Sequence, residues 1–228
     1  RQDNGEKEKW FSHTLNDCIN LPGSMPEKLK GDEVTAKTQW TGSLYDSSYY
    51  YNPYMEKYRK EGNIKFPFFL TPDKHYVGAA WYQKEVNIPA DWKGERILLF
   101  LERPHIETTV WVNGQKTGMQ NSLCVPHQYD ITRYVRPGKC TITIRVDNRI
   151  KEINVGPDSH SITDQTQGNW NGIVGRICLQ TTPKTYFDDI QIYPEPEQKL
   201  ARVKVVIKGA GITKITVSYT HLTLPTKL

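Results

Sequence analysis

The stretch Val110 to Gly118, VWVNGQKTG, constrains this chain more than any other. Val110, Trp111 and Val112 are β-branched or aromatic, the side chains that suit a pleated, half-buried surface. Asn113-Gly114 follows at once. A two-residue type I′ turn needs positive φ at both central positions, and Asn-Gly supplies them at least cost. The stretch therefore predicts a β-hairpin that returns through Gln115 to Gly118. The strands on either side must then stack as layers of one sandwich.

The flanking sequence fits that expectation. Trp81 to Ile88 alternates imperfectly and stops at Pro89. Arg96 to Glu102 (RILLFLE) is apolar on both faces and reads as a central strand covered on both sides. Glu107 to Val112 leads into the hairpin, Tyr129 to Tyr134 reads as a short connecting turn, and Pro137-Gly138 is a tight turn. Cys140 to Asp147 (CTITIRVD) gives the cleanest period-2 alternation. Ile173 to Thr181 and Tyr186 to Tyr193 read as two more strands. Many short strands with turn signals between them predict an all-β jelly-roll sandwich. Before it, Trp10, Phe11, Leu15 and Ile19 form a short apolar set that can lay a strand or a helical turn against the core.

Composition excludes several function classes. Of the 228 residues 37% are hydrophobic and 24% charged, and no apolar run approaches the roughly 18 residues of a membrane span. The net charge of +5 is spread along the chain, whereas nucleic-acid binding needs a clustered basic face. Cys18, Cys124, Cys140 and Cys178 lack metal-clip spacing, and Cys140 and Cys178 fall in strand-like runs as buried free thiols would, with a disulfide left open. No signal peptide opens the sequence, which fits a cytoplasmic protein or a mature secreted one.

Catalytic motifs are not visible. Asp188-Asp189 would point to opposite faces of a strand, and no nucleophile elbow, P-loop or dinucleotide-binding run occurs. Two loops stand out instead. Between Thr38 and Phe69 the aromatic residues Trp40, Tyr45, Tyr49, Tyr50, Tyr51, Tyr54 and Tyr58 crowd together without periodicity, which serves loop packing and sugar stacking alike. Asp158 to Asn171 (DSHSITDQTQGNWN) carries Asp158, His160, Asp164, Gln167, Asn169, Trp170 and Asn171. Asp and Asn pair with vicinal hydroxyls and Trp offers a flat apolar face, a set that suits a sugar. The same Asx residues can equally stabilise the loop's own turns.

Five motifs in order then carry a resemblance: WYQKEVNIP (81–89), VWVNGQKTG (110–118), PHQYDIT (126–132), IRVDN ending at Asn148, and NWNGIVGRI (169–177). Over about residues 15 to 195 the chain resembles the N-terminal sugar-binding jelly-roll domain of glycoside hydrolase family 2, which includes β-galactosidases, β-glucuronidases and β-mannosidases. The resemblance implies retaining hydrolysis by two Glu residues of a barrel that follows, with carboxyl groups about 5 Å apart. This chain then carries no catalytic residue. It implies sugar contacts from loops of this domain, at Asp73, His75 and Tyr76 before the first core strand, and at Asp164, Asn169 and Trp170. The family's galactosidases and glucuronidases place an Asp six residues before the first Gly of the last motif; Thr166 stands there, and Asp164 is the nearest acid. Gly172 and Gly175 are expected to allow a tight backbone path, Arg176 to tie the loop to the sandwich, and Trp111 to lie in the core.

The expected organisation is a sugar-binding domain over 1–195, the start of an incomplete immunoglobulin-like sandwich over 196–217, and a tail at 218–228. The ending VSYTHLTLPTKL resembles translated adapter sequence and reads as non-native. The expected role is that of the N-terminal fragment of a β-galactosidase-like exo-glycosidase, with a stand-alone carbohydrate-binding module as the alternative. Its partners would be a β-linked glycoside and the enzyme's C-terminal domains, with no cofactor, metal ion, nucleic acid or membrane span. Family habit implies a periplasmic or secreted setting.

Overall fold

The computed structural model describes residues 3–41, 47–67, 72–151, 164 and 168–209. Its strands in chain order are β1 (Gly23–Ser24), β2 (Asp32–Glu33), β3 (Lys74–His75), β4 (Ala79–Ile88), β5 (Arg96–Leu101), β6 (Glu107–Val112), β7 (Gln115–Asn121), β8 (His127–Asp130), β9 (Gly138–Asp147), β10 (Gly172–Ile173), β11 (Ile177–Thr182), β12 (Tyr186–Glu195) and β13 (Leu200–Lys208). The chain divides into two compact units, residues 1–181 and 182–228.

The first unit is an all-β sandwich. One sheet has the order β4-β9-β6-β7 and the other β11-β5-β8, all neighbours in the larger sheet being antiparallel. The hairpin forms where the sequence places it. Asn113 and Gly114 take φ of 49° and 77°, and β7 returns against β6 with a register shift at Val110/Trp111. Between the sheets lie Ile97, Leu99 and Leu101 of β5, Val110 and Val112 of β6, and Ile142, Ile144 and Val146 of β9, all buried. β5 is central in its sheet, as its two-sided apolar run requires. One expectation is corrected: His127–Asp130 is a strand paired with β5, and only Thr132–Tyr134 forms a turn of 3-10 helix. Tyr129 explains this, since its ring joins the core cluster and its hydroxyl donates to the Thr108 carbonyl at 2.9 Å.

β9 alternates in sequence, yet Thr143, Arg145 and Asp147 on its outer side are buried. The N-terminal segment covers them. Phe11 stacks on Trp111 at 5.2 Å, Trp111 stacks on Trp81 at 4.8 Å, and Trp10 meets Trp81 edge-on. Asp3 accepts from Arg145 at 2.6 Å and from the Trp81 indole at 3.1 Å. Arg145 also donates to Glu107 and Asp147, both at 2.7 Å. Burial alone would raise the Asp147 carboxyl, but its bonds to Arg149 and Lys151 outweigh that and hold it well below the usual carboxylate range.

The second unit is described through one hairpin. β12 and β13 are antiparallel, with a register shift between Phe187 and Asp189. Ile190 faces Val205 and Ile192 faces Val203, so one side of the ribbon is apolar; Asp189, Gln191 and Lys204 fall on the other. The four cysteines are free, and burial pushes the Cys140 thiol up. Among the described residues no helix is long and apolar enough to cross a membrane. The tail at 218–228 lies outside the described residues.

Candidate functional site

The loops named from the sequence meet where β4 begins and β9 ends, because Ala79 pairs with Asp147 and Asp147 in turn with Glu107 at the start of β6. Just past β9, buried Asn148 accepts the Gly78 N–H at 2.8 Å and donates to the Tyr76 carbonyl at 2.8 Å and to Asn169 Oδ1 at 3.0 Å. Asn169 donates in return to the Asn148 carbonyl and to Thr41 Oγ1, both at 3.0 Å. Asn171 accepts from the Tyr82 hydroxyl at 2.7 Å and donates to the carbonyls of Gly78 (2.9 Å) and Val146 (2.8 Å). Three side-chain amides thus stitch the two loops to the strand ends. A buried amide is stable only when its donors and acceptors are met, and here they are.

Asp164 is 3% exposed. Its Oδ2 accepts the Thr41 N–H at 2.5 Å and its Oδ1 accepts the Asn169 N–H at 2.6 Å, while its own N–H donates to the Thr41 carbonyl. Both oxygens are therefore engaged in joining loops. His75 sits beside it in β3, 7% exposed, with Nε2 3.9 Å from Asp164 Oδ2 and the Trp40 ring 4.8 Å away edge-on. That separation exceeds a hydrogen bond, and among the described residues His75 Nε2 has no hydrogen-bond partner. Trp170, half-buried, stacks on His105 at 4.5 Å and 21°. Burial drives the His105 imidazole down to about 4, with the Asn169 amide offsetting part of the shift.

The structure brings His75, Tyr76, Asp164, Asn169 and Trp170 to this node. Tyr76 enters it through its backbone, for its ring is in the core and its hydroxyl donates to the Ala79 carbonyl at 2.5 Å. Asp73 is exposed and lines an open cleft with Glu33, Arg59 and Phe66 instead. Asp158, His160, Thr166 and Gln167 lie outside the described residues. Thr41, His105 and Asn148 belong to the node and carried no role in the sequence reading. Asn148 closes the IRVDN motif, which was its signal; Thr41 and His105 had none. Gly172 at φ 149° lets the chain pass β1, where a Cβ would sit 2.4 Å from the Gly23 carbonyl oxygen. Arg176 ties the loop down as expected, donating its N–H to Glu102 Oε2 at 2.7 Å.

Among the described residues no group of three or more His, Cys, Asp or Glu could hold a metal ion. Fold and node together define an all-β sandwich domain that presents loops held by buried amides. The chain belongs to the family described as glycosyl hydrolases family 2, sugar binding domain, whose profile matches residues 8–183.

Its relatives are larger. Human β-glucuronidase is 29% identical over 168 residues, covering 63% of this chain and 26% of that protein. Cat β-glucuronidase is 29% identical over 159 residues, covering 60% and 24%. The chain thus spans about a quarter of the length of the curated relatives it matches. A β-glucuronidase from an uncultured Clostridium species superposes with a TM-score of 0.58 at 20% identity over 91% of this chain and 32% of that one. Ruminococcus gnavus β-glucuronidase in complex with uronic isofagomine gives a TM-score of 0.50 at 20% identity over 62% and 26%. These likenesses establish the fold.

Proposed function

We propose that this chain is the non-catalytic N-terminal sugar-binding domain of a family 2 exo-β-glycosidase acting on β-glucuronides, with its loop node shaping one wall of the sugar subsite. The observation that carries the reading is the family match over 8–183 together with the node that fixes both loops at one end of the sandwich. The β-galactosidase-like specificity expected from the motifs is replaced in this reading, because the curated relatives named above are β-glucuronidases. Catalytic carboxylates would come from chain beyond this domain. The apolar side of the β12–β13 ribbon supports such further chain. Phe187, Ile190, Ile192 and Val203 are each more than half exposed, and a two-stranded ribbon is marginal until its apolar face is covered. A periplasmic or secreted setting is part of the proposal.

The test is hydrolysis of p-nitrophenyl β-D-glucuronide by the product of the complete reading frame and by the 228-residue chain. Release of nitrophenol by the first and not the second is expected. Hydrolysis by the 228-residue chain alone would overturn the non-catalytic assignment.

A further inference from the structure

Segments 33–37, 59–66 and 72–73 enclose an open cleft of about 1050 Å³ that does not involve Asp164 or Asn169. Ligand pockets run from about 300 to 1000 Å³, so this one has room for an oligosaccharide and not only a single ring. Ile64 and Phe66 supply an apolar wall. Phe66 is fixed there, stacked on buried Tyr49 at 4.7 Å and edge-on to Trp40 at 4.8 Å.

The polar lining has a direction. Lys37, Arg59 and Lys65 line the cleft, and none of them forms an ion pair among the described residues. The Arg59 guanidinium is anchored through Nη1 to the carbonyls of Tyr49 and Asn52. Among the described residues Nε and Nη2 keep their donors, in the fork that matches a carboxylate. Of the acids at the rim, Glu33 is taken up by Lys74. Asp73 and Glu61 remain, and carboxylates accept well from vicinal hydroxyls. An anchored guanidinium, two lysines, two hydroxyl acceptors and an apolar wall are the complement of a sugar that carries a carboxylate.

We propose that this cleft binds an acidic oligosaccharide, with a uronate carboxylate against Arg59, Lys37 and Lys65 and its hydroxyls toward Asp73 and Glu61. The choice of a uronate rests on the glucuronide reading above; the cleft and its charges do not.

The experiment is calorimetric titration of the 228-residue chain with a β-1,4-linked tetramer of glucuronic acid and, separately, with cellotetraose, its neutral counterpart. Binding of the acidic tetramer with little or none of the neutral one is expected, weakening as salt is raised. A Lys37→Gln/Lys65→Gln variant, changing two exposed side chains, should lose about tenfold in affinity. Arg59→Gln should lose more, with circular dichroism confirming that the segment stays folded. Equal binding of both tetramers, no binding of the acidic one, or acidic binding that the lysine variant leaves unchanged would each overturn the proposal. Those results would appear while the complete reading frame still cleaved the glucuronide. Failure of the underlying reading would appear in the hydrolysis assay instead.

Discussion

Asp164 Oδ2 accepts the backbone N–H of Thr41 at 2.5 Å across 123 residues of chain, while its other oxygen accepts the N–H of Asn169 five residues on. One buried carboxylate thus holds the aromatic-rich loop, the last motif and the strand ends in register. Replacing it by alanine leaves two N–H groups without an acceptor in a site closed to water, at about 1–3 kcal/mol for each group left unsatisfied. Asp164→Ala should therefore lower the urea midpoint substantially, and Asp164→Asn, which keeps one acceptor oxygen, by less. An alanine variant within about 0.5 kcal/mol of the parent would contradict the role.

Asn171 makes three buried hydrogen bonds that no other side chain can replace. Asn171→Ala strands the Tyr82 hydroxyl and takes one donor each from the carbonyls of Gly78 and Val146. A loss of about 3 kcal/mol in equilibrium unfolding is expected. Asn171→Asp should be no better, since a carboxylate would face two carbonyl oxygens.

Gly172 has both a backbone φ that L side chains rarely adopt and no room for a methyl group. Gly172→Ala should cost at least about 1–3 kcal/mol and disturb the pairing of Gly23 with Ile173. Amide hydrogen exchange would show faster exchange of the Met25 N–H, which bonds to the Asn171 carbonyl beside that pairing.

These dependences show how far the sequence reaches. The sandwich was legible because its signals are local: Asn113-Gly114 sets a turn, and RILLFLE can only be a strand covered on both sides. β8 was missed because HQYD is short and polar in alternation, and only pairing with β5 and burial of Tyr129 make it a strand. The period-2 alternation of β9 does not show that its polar side, Thr143, Arg145 and Asp147, is covered. Its burial depends on Asp3, Trp10 and Phe11, far away in sequence. At the site, residue types named Asp164 and Asn169, which the structure places in the node, but not what they bond. Their partners Thr41 and Asn148 come from other segments, and no periodicity relates them.

Acid should destabilise the node through His105. Its folded pKa of about 4 lies below the ordinary value of 6.5, so in that window the unfolded chain binds the extra proton. The contribution is complete above pH 6.5 and is lost as pH falls toward 4, up to about 3 kcal/mol at 1.36 kcal/mol per unit. His105→Phe keeps the stack on Trp170 and removes the titration. Thermal unfolding of this variant should fall less steeply than the parent's between pH 6.5 and 4. His127, also held down by burial, contributes equally to both proteins and cancels in the difference.

The most direct test of the account is the ratio of kcat/KM for p-nitrophenyl β-D-glucuronide to that for the β-D-galactoside, measured on the product of the complete reading frame. A glucuronidase-type enzyme built on this domain should favour the glucuronide by at least about a hundredfold, since a site that pairs a carboxylate leaves charged groups unmet by the galactoside. Preference for the galactoside, or hydrolysis of neither, would contradict it.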